Sequence, residues 1–343
     1  MNKPLSIYIH IPFCERKCKY CDFVSFDNKA SEIDKYVDAL CNEIKSAGIK
    51  VAETVFIGGG TPSLLTNDQL SEIFKNLPEA DEITIEANPN SITIEKLQHW
   101  RTLGINRISI GVQSFDDTVL RTLGRIHTSE QAVSAVKLAY KCGFRNISID
   151  LIHSVTNAAI KIPTEIFKYI THVSAYCLII EAGKHFKPIP EQHGIRQQKQ
   201  IELILGINGF EKYEVSNFAR PGFECRHNLA YWQPQTHEYI GFGLAAHSFL
   251  GGRRFANTCN FDKYLSGKFR DSAPETRTEF DILTETIMLG LRTTRGVEVE
   301  LFKNKSAEIE FLSNLKLIKI ENGRVCATAK GFYILNQIIE KLT

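Results

Sequence analysis

Three cysteines carry the most specific chemistry in this sequence. Cys14, Cys18 and Cys21 form a C-x3-C-x2-C run near the start of a 343-residue chain. Iron–sulfur clusters are held by cysteine thiolates, ordinarily four of them, so three leave one iron without a protein ligand. An open coordination position is what a catalytic metal needs to take an outside ligand. Zinc is the rival occupant. A structural zinc site wants four ligands, usually as two paired knuckles, and no second pair follows downstream; His10 is the nearby candidate for a fourth ligand. The chain has nine cysteines, an odd number, with three crowded into eight residues. That pattern argues against a secreted disulfide scaffold and for a reducing, cytoplasmic setting. Cys41, Cys142, Cys177, Cys259 and Cys326 read as small core hydrophobes.

Two further groups of residues stand out. Gly58-Gly59-Gly60-Thr61-Pro62 follows a strand-like TVFI run, where glycines let backbone approach a ligand closely, although alone such a run is equally a turn. His227 stands near Tyr231 and Trp232, an imidazole beside two large aromatic rings. Such a group can ligate iron axially and sandwich a flat ring, or it can be a core cluster in which the histidine satisfies a buried carbonyl. His247 and Cys225 are weaker candidates for the same ligand role.

Elements that would position these residues can be read from periodicity. Strands are predicted over 5–10, 54–57, 83–86, 107–110, 146–151 and 172–178. Helices are predicted over 32–47, after a cap at Asn67 or Asp68, over 93–103 up to Gly104, over 128–142 and over 162–170. Six strand–helix repeats imply a parallel sheet with right-handed crossovers. Six are too few for a closed eightfold barrel, so the fold class is α/β with a partial (β/α)6 TIM-like barrel, whose chemistry belongs at the C-terminal strand ends. The cysteines, the glycines, Glu86, Gln113 and Asp150 all fall at such ends. On the strand leading to Glu86, Ile83 and Ile85 are expected to face inward. Helices over 192–205, 280–291 and 307–315 follow, with a hairpin turn at Asn322-Gly323, a winged-helix-like order. The expected division is 1–210 for the barrel, 211–270 for an aromatic and histidine-containing segment, and 271–343 for a smaller C-terminal α+β domain.

Composition narrows the function. Lys plus Arg number 41 and Asp plus Glu 39, a net charge of +2, and 43% of residues are hydrophobic. This is a chain able to bury a large core, with no electrostatic case for a nucleic-acid or membrane partner. Neither a secretory signal nor an apolar run long enough for a membrane span is visible.

The C-x3-C-x2-C run after a first strand, with Tyr20 before its last cysteine, resembles the signature of the radical S-adenosylmethionine (SAM) superfamily. YIHIPFC (8–14), CDF (21–23), FIGGGTPS (56–63), IEANPN (85–90), NRISIGVQSF (106–115), LGRIH (123–127), YEVSNFARPG (213–222) and RHNLAYW (226–232) are similar to the HemN/HemW group of that superfamily. The resemblance covers roughly residues 5–340 and is weakest at 152–210 and in the tail. It implies a four-iron four-sulfur cluster on Cys14, Cys18 and Cys21, whose open iron is chelated by SAM. One electron from the cluster would then cleave SAM and release a 5′-deoxyadenosyl radical. By the same resemblance Tyr8, Gly59, Gly60, Thr61, Glu86, Gln113, Arg125 and Asp150 contact SAM, with Arg125 suited to fork onto its carboxylate. A reductant such as flavodoxin or ferredoxin is implied.

Within the group, Phe23 stands where the coproporphyrinogen III dehydrogenase branch has a further cysteine, and only about four residues precede the first strand where that branch has a closing extension. Both features favour the haem chaperone branch, which implies haem or a porphyrin as cargo, His227 as a haem-binding residue, and a haem-accepting partner protein. The oxygen-independent coproporphyrinogen III oxidase is the alternative. A radical SAM nucleic-acid modifier is disfavoured by the charge balance. One departure bears on turnover: after Asp150 the group continues Gly-Leu-Pro-Gly-Gln, whereas this chain has His153-Ser154-Val155-Thr156-Asn157.

Overall fold

The computed structural model describes residues 3–179, 186, 189–271 and 273–343. Alternating segments form β1 (Leu5–Ile11), β2 (Thr54–Gly59), β3 (Glu82–Ala87), β4 (Arg107–Gln113), β5 (Asn146–His153) and β6 (His172–Cys177). Each pairs in parallel with the next. The crossovers are α1 (Ile33–Ala47), α2 (Asn67–Phe74), α3 (Ile94–Thr102), and α4 (Asp117–Leu123) with α5 (Ser129–Lys141). Between β5 and β6 the chain makes only a 3-10 turn, Thr164–Lys168, in place of the helix predicted over 162–170. The cap of α2 falls one residue before the predicted pair: Thr66 accepts from the Gln69 N–H, and Gln69 returns the bond to the Thr66 N–H.

The segment 211–270 does not stand apart from the barrel. After α6 (Glu191–Ile207), β7 (Glu211–Lys212) and β8 (Asn217–Ala219) extend the sheet antiparallel beyond β6. After α7 (Arg226–Trp232), β9 (Glu238–Phe242) inserts parallel to β1 on its free side, and β10 (His247–Leu250) and β11 (Arg253–Ala256) follow antiparallel. The order β11-β10-β9-β1-β2-β3-β4-β5-β6-β8-β7 leaves β11 and β7 unpaired with each other, so the barrel is open. No helix of the described residues is long and apolar enough to cross a membrane.

Strand alternation gives the sheet two unlike faces. Ile7, Ile9, Ile57, Ile83, Ile85, Ile108 and Ile110 pack with Leu40, Leu97 and Trp100 of the helices in one apolar cluster. Burying Trp100 alone contributes roughly 2–3 kcal/mol. The alternate residues Ser6, Thr54, Glu82, Thr84, Arg107, Ser109, Ser148, His172 and Ser174 are buried on the other face, so the lumen is polar. Ile83 and Ile85 thus point at the helices and not into the lumen, which Glu82, Thr84 and Glu86 share.

The C-terminal part comprises α8 (Phe261–Leu265), α9 (Glu279–Gly290), β12 (Val297–Glu298), α10 (Ser306–Asn314), β13 (Ile318–Glu321), β14 (Arg324–Ala327), α11 (Ala329–Phe332) and α12 (Leu335–Leu342). From α9 onward it has its own apolar cluster around Ile287, Leu312, Val325 and Ile338 and a three-stranded sheet, β12-β14-β13. It joins the barrel through backbone bonds from Val215 N–H to Arg292 O (2.8 Å) and from Thr294 N–H to Tyr213 O (3.0 Å).

Glu43 of α1 ties the late segment to the barrel. Its buried carboxylate accepts from Tyr264 Oη (2.7 Å), Asn257 Nδ2 (2.6 Å) and the Gly243 N–H (2.9 Å). Removing it strands three buried donors, each costly without a partner. Glu43→Ala is expected to lower the unfolding free energy by roughly 3 kcal/mol, read as a lower urea midpoint; an unchanged midpoint would show that water reaches this network.

Candidate functional site

The cysteine loop is fixed at both ends by backbone. Phe26 N–H donates to Pro12 O (2.8 Å) and Cys14 N–H to Phe26 O (2.9 Å), while Lys19 N–H donates to Leu123 O (3.3 Å). Phe26 packs edge-on against Phe261, with centroids 5.3 Å apart. The loop therefore leaves the C-terminal end of β1 and is held over the mouth of the barrel, with all three thiols partly accessible. Two have donors aimed at them: Thr61 Oγ1 lies 3.7 Å from Cys14 Sγ, and Arg125 Nη1 lies 3.4 Å from Cys18 Sγ. Burial raises the Cys14 and Cys21 thiols, and Thr61 draws Cys14 back down.

The glycine run meets this loop directly. Gly60 N–H donates to Ile11 O and Thr61 N–H to Phe13 O, both at 2.8 Å. A Cβ on Gly60 would lie 2.7 Å from Phe13 O, and one on Gly59, whose φ is +110°, would lie 2.5 Å from His10 Nδ1. Close approach of chain to chain is what demands glycine here. His10 itself is spoken for, with Nδ1 at 3.0 Å from Tyr8 Oη and Nε2 at 2.8 Å from Val24 O, so it is not placed as a fourth metal ligand.

Below the thiols stand two carboxyl groups. Glu86 Oε2 accepts from the Gly59 N–H (3.1 Å), and Asp150 Oδ1 accepts from Ser109 Oγ (3.1 Å). Burial, reinforced by Asp150, pushes Glu86 up to about 8; burial also raises Asp150, against the pull of Ser109 and Arg107. Two lumenal carboxyls that repel each other favour a cationic ligand. Arg125 spans the rim, donating to Asn88 Oδ1 (2.5 Å) and Gly111 O (2.8 Å) as well as toward Cys18. Gln113 joins it at a bulge at the end of β4: its φ is +65°, and a Cβ on Gly111 would lie 3.0 Å from Gln113 Nε2 and 3.4 Å from Arg125 Nη2. Tyr8 lies within the field of Glu86. The structure thus brings Gly59, Gly60, Thr61, Glu86, Gln113, Arg125 and Asp150 to the same end of the barrel as the cysteines, while Tyr8, midway along β1, bonds His10 above and has its ring 6.5 Å from that of His227 below.

His227 lies at the other end. Its ring is 1% exposed, with Nδ1 2.7 Å from Thr54 Oγ1 and Nε2 2.8 Å from Tyr231 Oη, and it stacks on Phe56 at 5.0 Å. Thr54 starts β2, whose other end carries the glycines about 16 Å away at the rise of a strand. With both nitrogens engaged and burial driving it down to about 3, the imidazole is a neutral core group. Both of its nitrogens are engaged in this arrangement, so ligation of haem iron by His227 would require release of the ring from Thr54 or Tyr231. Cys225, the second candidate, is fully buried; His247 is exposed.

Among the described residues no three of His, Cys, Asp and Glu gather tightly enough to hold a single ion. A four-iron cluster does not require that, because each thiolate ligates a different iron. The donor set fits such a group: three accessible thiols on one loop, with a hydroxyl and a guanidinium aimed at two of them.

Residues 8–161 match the model of the radical SAM superfamily, and residues 278–334 match that of the HemN C-terminal domain. The heme chaperone HemW of Lactococcus lactis is 35% identical over 99% of this chain and 98% of its own length. That of Bacillus subtilis is 34% identical over 97% and 95%. The chain belongs to the HemW family. The HemW of Escherichia coli is 37% identical over 78% of each chain. The solved coproporphyrinogen III oxidase (HemN) of E. coli superposes with a TM-score of 0.81 over 99% of this chain and 90% of that one at 22% identity, which establishes a common fold.

Sequence reasoning missed several residues that the geometry of this HemW-family chain brings forward. Asn88 bridges Arg125 and, through Nδ2 at 3.1 Å, Thr61 Oγ1. Its place two residues beyond Glu86 at a strand end was the available signal. Ser109 and the buried Arg107, one and two turns of the pleat from the site, carry no motif of their own. The divergent loop after Asp150 is tied down by Gln197, which donates to Thr156 O (2.7 Å) and Ala158 O (2.5 Å) and accepts from the Ser154 N–H (2.7 Å).

His227→Ala should cost about 2–3 kcal/mol of stability, since it strands Thr54 and Tyr231 and opens a cavity beside Phe56. The sign with pH follows from a folded pKa depressed to about 3. The neutral ring's contribution is complete above about 6.5 and is lost as pH falls toward 3. Urea titrations should therefore show the variant losing part of the wild-type acid sensitivity in that window; parallel profiles would mean that His227 titrates freely.

Proposed function

We propose that this chain is a haem chaperone that holds a four-iron four-sulfur cluster on Cys14, Cys18 and Cys21, binds SAM beside it, and carries haem to an acceptor protein in the cytoplasm. The observation that carries the reading is the alignment, over nearly the whole of both chains, with a relative described as a heme chaperone. Phe23, exposed on the cysteine loop where the dehydrogenase branch has its extra cysteine, supports it.

The chain's own residues divide the work. Thr61 and Arg125 donate toward Cys14 and Cys18, so each helps to hold thiolate charge for the cluster. When bound, the cluster would supply one electron, delivered by a flavodoxin- or ferredoxin-type reductant, for cleavage of SAM. Glu86 and Asp150 offer acceptors to the ammonium or ribose hydroxyl groups of SAM and negative charge to its sulfonium, with Tyr8 alongside. Arg125, positioned by Asn88 and Gly111, offers the cation for its carboxylate, and Gln113 sits beside it. The peptide groups of Gly59, Gly60 and Thr61 line the path between the thiols and Glu86.

Anaerobic reconstitution with iron and sulfide, followed by haem titration and a coproporphyrinogen turnover assay, tests the reading. The wild type is expected to take up about four irons, to bind haem, and to leave coproporphyrinogen unchanged. Replacing any one of Cys14, Cys18 and Cys21 with Ala should abolish the brown chromophore. One stoichiometric zinc without iron would overturn the cluster assignment, and accumulation of protoporphyrinogen would make the protein an oxidase instead.

SAM affinity should rise with pH up to about 8, where Glu86 becomes charged, because a carboxylate attracts the cationic ligand and its acid form does not. Calorimetry on Glu86→Gln should show binding weakened by about tenfold and this rise flattened; an unchanged slope would remove Glu86 from the SAM site.

A further inference from the structure

A cavity of about 890 Å³ lies between the lower end of the barrel and the C-terminal domain. One face of α9 lines it, with Ile282, Leu283 and Gly290 at helical spacing, and Leu301 adds to the apolar wall. Across from them is the stretch that follows α7, beginning with Trp232 and leading into β9, whose first residue Glu238 pairs with Leu5 at the start of β1. The cavity therefore sits at the N-terminal ends of the strands, away from the cysteine loop. It also gives Leu283 and Leu301, each 38% exposed, a place on its wall.

Its charges narrow the ligand. Of the acidic residues on the walls, Glu298 is paired with Arg324 and Glu321 with Lys319, and Glu279 sits in the first turn of α9, where the helix end favours a negative charge. The Arg295 guanidinium, also on the wall, has no ion-pair or hydrogen-bond partner among the described residues. Small-molecule sites run from about 300 to 1,000 Å³, so this one takes a ligand near the top of that range. A broad apolar slot with an indole on one side and a free guanidinium at its edge suits a flat, apolar ring system bearing carboxylates.

We infer that this interdomain cavity is the haem site, with the porphyrin between Trp232 and the Leu283 face of α9 and a propionate on Arg295. The inference rests on the haem-carrying reading above and adds the place and the contacts. It also gives the RHNLAYW segment a divided role. His227 anchors α7 into the bottom of the barrel, and Trp232 at its end reaches the ligand. Cargo and cluster would then occupy opposite ends of the sheet, so haem is carried and is not the group that SAM chemistry attacks.

The test uses the full-length reconstituted protein with haemin as the probe, followed by absorbance, with cluster content, SAM affinity and thermal midpoint as controls. Leu283→Trp, which fills the slot from a half-exposed position, should weaken haem binding at least tenfold, and Arg295→Glu by about tenfold; neither should change SAM affinity. If the wild type binds haem and both variants bind it equally well, the site is elsewhere and the chaperone reading stands. If the wild type does not bind haem, that reading fails and takes the cavity assignment with it. Loss in Arg295→Glu alone would overturn the slot in favour of a surface electrostatic effect, and loss in Leu283→Trp alone would overturn the propionate contact. Should Leu283→Trp fail to fold, Thr286→Trp on the same face of α9 replaces it.

Discussion

Glu82 holds the lower end of the barrel shut. Its buried carboxylate accepts from the backbone N–H groups of Arg226 (3.2 Å) and His227 (3.1 Å) and from the Cys225 thiol (3.6 Å). A short helix thus spends its unpaired N-terminal donors on a charge that could not otherwise be buried. Everything the polar lumen contains depends on such closure. Arg107 sits above Glu82, fully buried, balanced by Glu82 and Asp150 and still with Nε and Nη1 unpaired. His172 shares its nitrogens with Ser148 and Tyr213, at 2.8 Å each. If α7 lifted away, water would reach this chain of charges and the energetic reason for their arrangement would vanish.

With the bottom closed, the open end is free to be reactive. The same strands that begin in Thr54, Glu82 and Arg107 end in glycines, Glu86 and the bulged Gln113. Regular, closely packed strands give way, within about 16 Å, to positive backbone angles, partly exposed thiols and carboxyls raised by their surroundings. The stable end positions the strained one.

What was legible in the sequence follows from distance along the chain. The three cysteines were legible because a loop ligand set is local: the spacing is itself the geometry. Glu86 and Asp150 were legible because alternation fixes which residues end a strand. Alternation does not say which face is the lumen, and in this sheet the lumen is the polar one, so Ile83 and Ile85 fall on the helix side. The aromatic neighbourhood of His227 was legible as a cluster, but its anchoring in the barrel was not, since the partner that fixes its ring, Thr54, lies 173 residues away. The pairing of β9 with β1 is of the same kind: nothing near Tyr239 announces a parallel partner at Ser6.

The closure by α7 has a consequence for how such chains can diverge. Cys14 and Cys18 draw side-chain contacts from Thr61 and Arg125, whereas Glu82 and His227 draw theirs from Cys225, Thr54 and Tyr231, so replacing either cysteine removes no partner of the lower network. Lineages can therefore erode or retune one end by drift while selection preserves the other, and paralogues with identical lower halves need not share a chemistry.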